Sequence, residues 1–183
     1  LTWLANPGRL PVHPLLEDSR LIWHLVQRHA LTYEQMLAAL TARSAHRDRG
    51  DHQVEEILRA RRPVDDSIRI EQGHYRIGER DGAGLPSERP AQLVELHAFR
   101  ISRLPVINSA YLAFIEDGGY RDSGWWDEAG REWLKRSGAT APWNWRRDAR
   151  DHWYGIGTNG PLDLHPDDVV AGICAHEAHA FAA

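Results

Sequence analysis

The tightest grouping of metal-ligating residue types is Cys174-x-His176-x-x-His179. Thiolate and imidazole are zinc ligands, and residues three apart share a helix face. Three ligands within six residues reach one ion only with particular rotamers, so the spacing favours a structural role. The glycines of Ile77-Gly-Glu-Arg-Asp-Gly-Ala-Gly84 lack the strand-to-helix context and the lysine of a phosphate loop. No serine sits in a glycine elbow, and no acid pair is spaced for hydrolysis. Six of the eight tryptophans fall between Trp125 and Trp153, interleaved with Pro142, Asn144 and several arginines. Indoles at that density either fill a core poor in regular structure or line a face for cationic or planar ligands; a loop-rich domain favours the first use.

These residues need elements to position them. Leu21, Ile22, Leu25, Val26, His29, Tyr33, Met36, Leu37 and Leu40 recur at three and four, which predicts an amphipathic helix over about 19–44. Asp18 or Ser19 is its expected N-cap, with Glu17 and Asp18 at the dipole end that favours negative charge. Such a stripe must pack on other helices to be stable. A second short helix is expected over Asp51–Ala60, within a charged interdomain linker from Ala45 to Asp66. Ile68-x-Ile70 and Tyr75-x-Ile77, split by Gln72-Gly73, predict a hairpin, and Val94-x-Leu96 with Phe99-x-Ile101 a further strand. Asp81–Pro86 reads as a loop. Asn108 should cap a helix over 109–117 closed by Gly118-Gly119, and a helix over Asp127–Arg136 should end at Gly138. Asp167 or Asp168 should cap a last helix carrying His176 and His179.

A chain of 183 residues with 42% hydrophobic content and net charge -4 can bury a core of one or two small domains. Arginines and acids are interspersed, with Lys135 the sole lysine, which gives no basic face for nucleic acid. No apolar run reaches the length of a membrane span. The single cysteine excludes an internal disulfide and suits a cytoplasmic setting.

Pro105-Val-Ile-Asn-Ser-Ala-Tyr-Leu-Ala-Phe-Ile-Glu-Asp-Gly-Gly-Tyr120, followed by Arg121-Asp-Ser-Gly-Trp-Trp126, is the most specific stretch of the chain. Before it come Ile68–Gly78, the turn Ser87-Glu-Arg-Pro90 and Leu93–Ile101; after it, Asp163–Ala182 resembles, with several departures, a Pro-Val-x-x-Val-Ser-Trp-x-Glu-Ala-x-Ala-Tyr pattern. In order and spacing, residues 68–183 resemble the formylglycine-generating-enzyme-like domain of ergothioneine-biosynthesis sulfoxide synthases. Cys174 stands at the serine position of that pattern and Glu177 at its glutamate, where a helix-face anchor is expected rather than an acid or base.

The resemblance implies an α+β architecture: a loop-rich, C-type-lectin-like domain over 63–183 preceded by part of a DinB-like helical bundle and linker over 1–62. It implies iron(II), dioxygen, a small-molecule thiol and a histidine betaine, whose trimethylammonium group would suit tryptophan faces. In that family a His-Glu-x-x-His element supplies two iron ligands. Here Glu34 and Met36-Leu37 align to leave Arg28 and Thr32 at the ligand positions, or His29 aligns and Tyr33 replaces its partner. Periodicity favours the second register, making His29 the one candidate metal ligand; a core histidine bonded to a neighbour is its alternative. His13 and His24 have no matching context. The first residue is Leu and the last six fall inside an expected helix, so the chain reads as a fragment whose catalytic and substrate-binding residues lie elsewhere. A selenium-transferring relative and a non-catalytic ligand-binding module are the competing readings.

Overall fold

The computed structural model describes His13, Leu16 and residues 20–63, 66–79 and 85–183. The N-cap expected at Asp18 or Ser19 and most of the Asp81–Pro86 loop lie outside them. Within the described residues four α-helices and seven short strands alternate in an α+β arrangement. They divide into two compact units, Leu1–Met36 with Arg69–Ile101, and Leu37–Ile68 with Ser102–Ala183.

Helix α1 (Arg20–Arg47) extends a turn beyond the expected end, and none of its residues is buried. Its apolar stripe is present but open: Ile22, Leu25, Val26, Tyr33 and Met36 are all exposed. In the first unit, β2 (Gly73–Ile77) pairs antiparallel with β3 (Gln92–Leu96), Tyr75 opposite Val94. Strand β1 (Ser67–Ile70) pairs with β4 (Phe99–Ser102). The expected β1–β2 hairpin is therefore wrong, and so is the single strand over 93–101. Alternating apolar residues mark strands without saying which strand supplies the partner.

The second unit holds the core. Helix α2 (Asn108–Glu116) buries its first six residues, and Tyr111 and Leu112 join Trp126, Trp145, Leu164, Val170 and Ala180 in one cluster. Asn108 is not its cap. Ile107 holds that position, while the Asn108 amide donates to the His165 carbonyl at 2.8 Å and its backbone N–H to Asp168 O. Asp168 thus serves the start of α2, not the last helix. The Gly118-Gly119 end holds: Gly119 N donates to Phe114 O, and Gly118 takes φ +92. Helix α3 (Glu128–Ser137) follows its sequence signals, with Asp127 Oδ1 accepting from Gly130 N and Gly138 left-handed at φ 62. Strands β5 (Trp145–Arg147), β6 (Trp153–Gly157) and β7 (Gly160–Asp163) form an antiparallel meander. Helix α4 (Ala175–Ala182) starts at Cys174, where the expected cap was Asp167 or Asp168.

Residues 51–60 are neither helix nor solvated linker. They form an extended strap whose amides reach distant acceptors: Val54 N donates to Asp148 Oδ2 at 3.2 Å, and Glu55 N and Glu56 N to Asp163 Oδ2 at 2.9 and 2.8 Å. Val54 packs on Tyr154 and Ile156, and Leu58 enters the main core. Burying each stabilises by about 2 kcal/mol, which outweighs the weak propensity of a short charged helix.

Candidate functional site

A hydrogen-bonded chain runs through the core of the second unit. Tyr111 Oη and Tyr120 Oη are 3.0 Å apart, Tyr120 donates to Glu177 Oε1 at 2.5 Å, and Cys174 N donates to Glu177 Oε2 at 2.6 Å. Glu177 is 2% exposed, so both carboxylate oxygens answer to protein donors. Burial and the bond to Glu177 hold the Tyr120 hydroxyl far above its ordinary pKa; burial does the same for Tyr111. Both phenols stay protonated and serve as fixed polar links. Phe181 stacks on Tyr111 with ring centroids 5.5 Å apart, and Tyr120 lies 5.7 Å from Trp126.

Beside this chain opens a cleft of about 430 Å³ between the end of α3, the 139–146 segment, β6 and the start of α4. Trp133, Trp143, Trp145 and Trp153 line it, with Arg146, Cys174 and Glu177. The tryptophan cluster thus divides between the two uses the sequence left open. Trp126 and Trp145 are buried, whereas Trp143 is 50% exposed at the cleft. Arg147 lies 4.2 Å over the Trp153 ring, so an indole of this cluster already holds a cation. Burial raises the Cys174 thiol pKa, which suppresses its thiolate.

The other candidates each have partners of their own. His176 packs at 5.9 Å from the Trp133 ring, and His179 Nδ1 lies 4.0 Å from Asp127. His29 is exposed on α1, with Nδ1 2.8 Å from its own helix's Leu25 O. It is bonded to a neighbour but lies in no core. If Nδ1 carries the proton that the carbonyl accepts, Nε2 is the nitrogen suited to a metal. Thr32 occupies its hydroxyl on Arg28 O. Among the described residues no three histidine, cysteine or acidic side chains are placed to share one ion, so these residues do not by themselves fit an iron centre.

Sequence reasoning missed Asp148 and Asp163, the two acids that fasten the strap. Asp148 also accepts from Arg150 N and His152 N at 2.9 and 2.8 Å, and Asp163 from His52 Nε2 at 2.8 Å. Burial alone would raise the Asp148 pKa, but the amides of His152, Val54 and Arg150 more than offset it and hold the value at about 2. Asp163 is lowered in the same way by the Glu56 amide, His52 and the Glu55 amide, against its burial. Both acids bind protons more weakly folded than unfolded. For Asp148 the stabilisation is complete above the ordinary value of 3.8 and is lost as pH falls towards about 2. Urea midpoints measured across that window should drop steeply, and D148N should flatten the drop. An unchanged slope in the variant would show that other groups govern acid unfolding.

Residues 53–183 match the family described as the sulfatase-modifying factor enzyme 1-like domain, and the chain belongs to that family. Among curated relatives, it is 42% identical over 99 residues to a hercynine oxygenase of Mycolicibacterium thermoresistibile and 41% identical over 99 residues to one of Mycobacterium tuberculosis. A hercynine oxygenase of Mycolicibacterium smegmatis is 36% identical over 99 residues. Each alignment takes in 54% of this chain and 21%, 23% and 22% of the respective relative, so the chain spans about a fifth of their length.

Proposed function

We propose that this chain is part of an oxygenase acting on hercynine, the betaine of histidine, in ergothioneine-type biosynthesis. The observation that carries this reading is its 42% identity, over 99 residues, to a relative named for that activity. The reaction joins a thiol to an imidazole carbon. One thiol, one imidazole C–H and one dioxygen give a sulfoxide and one water: the new C–S bond and sulfur oxidation release two electrons each, dioxygen accepts all four, and the two released hydrogens leave in the water.

On this reading residues 1–62 belong to a partial DinB-like helical domain and linker, and 63–183 to the family domain. Iron(II) is the expected metal, and His29 is the one residue here we assign to it. The catalytic acid, base and thiol contacts are assigned to no residue of this chain. Its own contribution is positional: the Tyr111–Tyr120–Glu177 chain and the aspartate-bound strap fix the family domain on which a pocket is built. A cytoplasmic enzyme fits the reading, and no described helix is long and apolar enough to cross a membrane.

The test uses the complete protein that contains this chain, loaded anaerobically with iron(II) and given hercynine, air and either cysteine or γ-glutamylcysteine. Mass spectrometry should show a sulfoxide product with one dioxygen consumed per product. A selenium donor used in preference to both thiols would move the protein to the selenium-transferring reading. No product from any donor, with hercynine still bound, would leave a ligand-binding module. The single histidine at the His29–Tyr33 position gives that second reading its support.

A further inference from the structure

A separate cavity of about 410 Å³ lies between the last turn of α1 and the β6–β7 turn, within the second unit. Arg43, Arg47 and Arg49 line it, with Asp48, Asp51 and Asn159. Its walls are tied together. Ser44 Oγ donates to Thr158 O at 3.0 Å, which fastens the end of the helix to the turn, and the buried Tyr154 donates through Oη to Asp48 Oδ2 at 2.8 Å. The cavity is therefore held in shape before any ligand enters.

Its three guanidiniums are uncommitted. Elsewhere Arg61, Arg103, Arg136 and Arg150 each have an acid within ion-pair reach. Among the described residues Arg43, Arg47 and Arg49 have none, although two carboxylates line the same cavity. Asp48 is already occupied: Oδ2 accepts from Tyr154 and Oδ1 from Gly50 N at 3.3 Å. That leaves Asp51 alone to oppose three positive charges. Arg43 and Arg47 stand one turn apart on a helix, where like charges repel unless an anion answers both. The negative end of the helix dipole accounts for basic residues in a last turn. It does not account for Arg49, which lies beyond the end of α1 and lines the same cavity.

We propose that this cavity binds a phosphate-bearing small molecule, its phosphate held by Arg43, Arg47 and Arg49. A carboxylate offers one charge and two oxygens, which a single guanidinium satisfies with two parallel bonds. A phosphate offers three oxygens and a charge of about −1.5 to −2, which matches three uncommitted guanidiniums. The volume is within the range of small-molecule pockets. The proposal is independent of the oxygenase reading, since no step of that reaction is assigned to this cavity.

Isothermal titration calorimetry at low salt, on the complete protein that contains this chain, tests it with pyrophosphate and with citrate, a carboxylate probe of comparable charge. Pyrophosphate should bind about tenfold more tightly than citrate, and R43Q/R47Q should weaken pyrophosphate by about tenfold. Arg49→Gln repeats the test without touching the helix and should weaken it by about threefold. Asp51→Asn removes the opposing charge and should tighten binding by about twofold. K135Q/R136Q takes two charges from the last turn of α3 and should leave affinity unchanged. Circular dichroism of each variant separates lost binding from lost folding. Citrate bound as tightly as pyrophosphate overturns the phosphate assignment. A loss in K135Q/R136Q equal to that in R43Q/R47Q reduces the effect to net charge and overturns the site. No pyrophosphate binding, or binding unchanged in both folded R43Q/R47Q and Arg49→Gln, overturns the proposal and leaves the turnover assay to judge the oxygenase reading.

Discussion

Glu177→Ala should lower the unfolding free energy by about 4 kcal/mol in urea titrations, a large part of the stability of a domain this size. The carboxylate is buried and accepts from two donors, the buried Tyr120 hydroxyl and the part-buried Cys174 amide, which both lose this acceptor once it is removed. Each orphaned buried donor costs about 1–3 kcal/mol, and the cavity left by the side chain adds to it. Glu177→Gln separates the two contributions. An amide can accept from one of these donors but turns its own N–H₂ towards the other, so its loss should be roughly half as large. Tyr120→Phe should fall between them, because it leaves Glu177 Oε1 and the Tyr111 hydroxyl without their shared partner. An alanine variant within 1 kcal/mol of the parent would mean that this chain of bonds is not what secures α4 to α2.

Gly172→Ala is expected to cost about 3 kcal/mol and to distort the tryptophan cleft at the same time. Gly172 has φ +82, where an L side chain is strained, and an added Cβ would lie 2.7 Å from Asn144 Cγ and 3.3 Å from Trp143 Cδ1. Asn144 has little room to yield, since its Nδ2 donates to Ile156 O and its own carbonyl accepts from Ile156 N. The matched control is Gly138→Ala, also left-handed at φ 62 but with open space around the new methyl. That variant should lose only about 1 kcal/mol, the conformational part alone. The difference between the two measures the crowding at Gly172. If both cost the same, the Asn144 contact relaxes and the cleft floor is not fixed there.

How much of this was legible beforehand depended on how far each signal had to travel along the chain. Helix α3 was readable because its cap and its stop are local: Asp127 bonds an amide three residues on, and Gly138 closes the helix by its own backbone freedom. The 51–60 strap was misread because its partners, Asp148 and Asp163, lie 94 to 108 residues away, and nothing in its composition announces an amide waiting for a distant carboxylate. Asn108 looked like a cap because asparagine commonly is one; tertiary packing brought the His165 carbonyl within reach and recruited the side chain elsewhere. Cys174, with no claim to cap a helix, starts α4 because Glu177 reaches back to its amide.

The sequence by itself determined the α+β class, the four helices in their order and the family stretch around 105–126, because periodicity, turn residues and motif order are properties of neighbours in the chain. Tertiary structure alone decided which strands pair, which tryptophans are core and which face the cleft, and that His176 packs on Trp133 while His179 lies near Asp127. Those outcomes depend on which distant surfaces exclude water together, and burial is a property of the folded assembly that no local window contains.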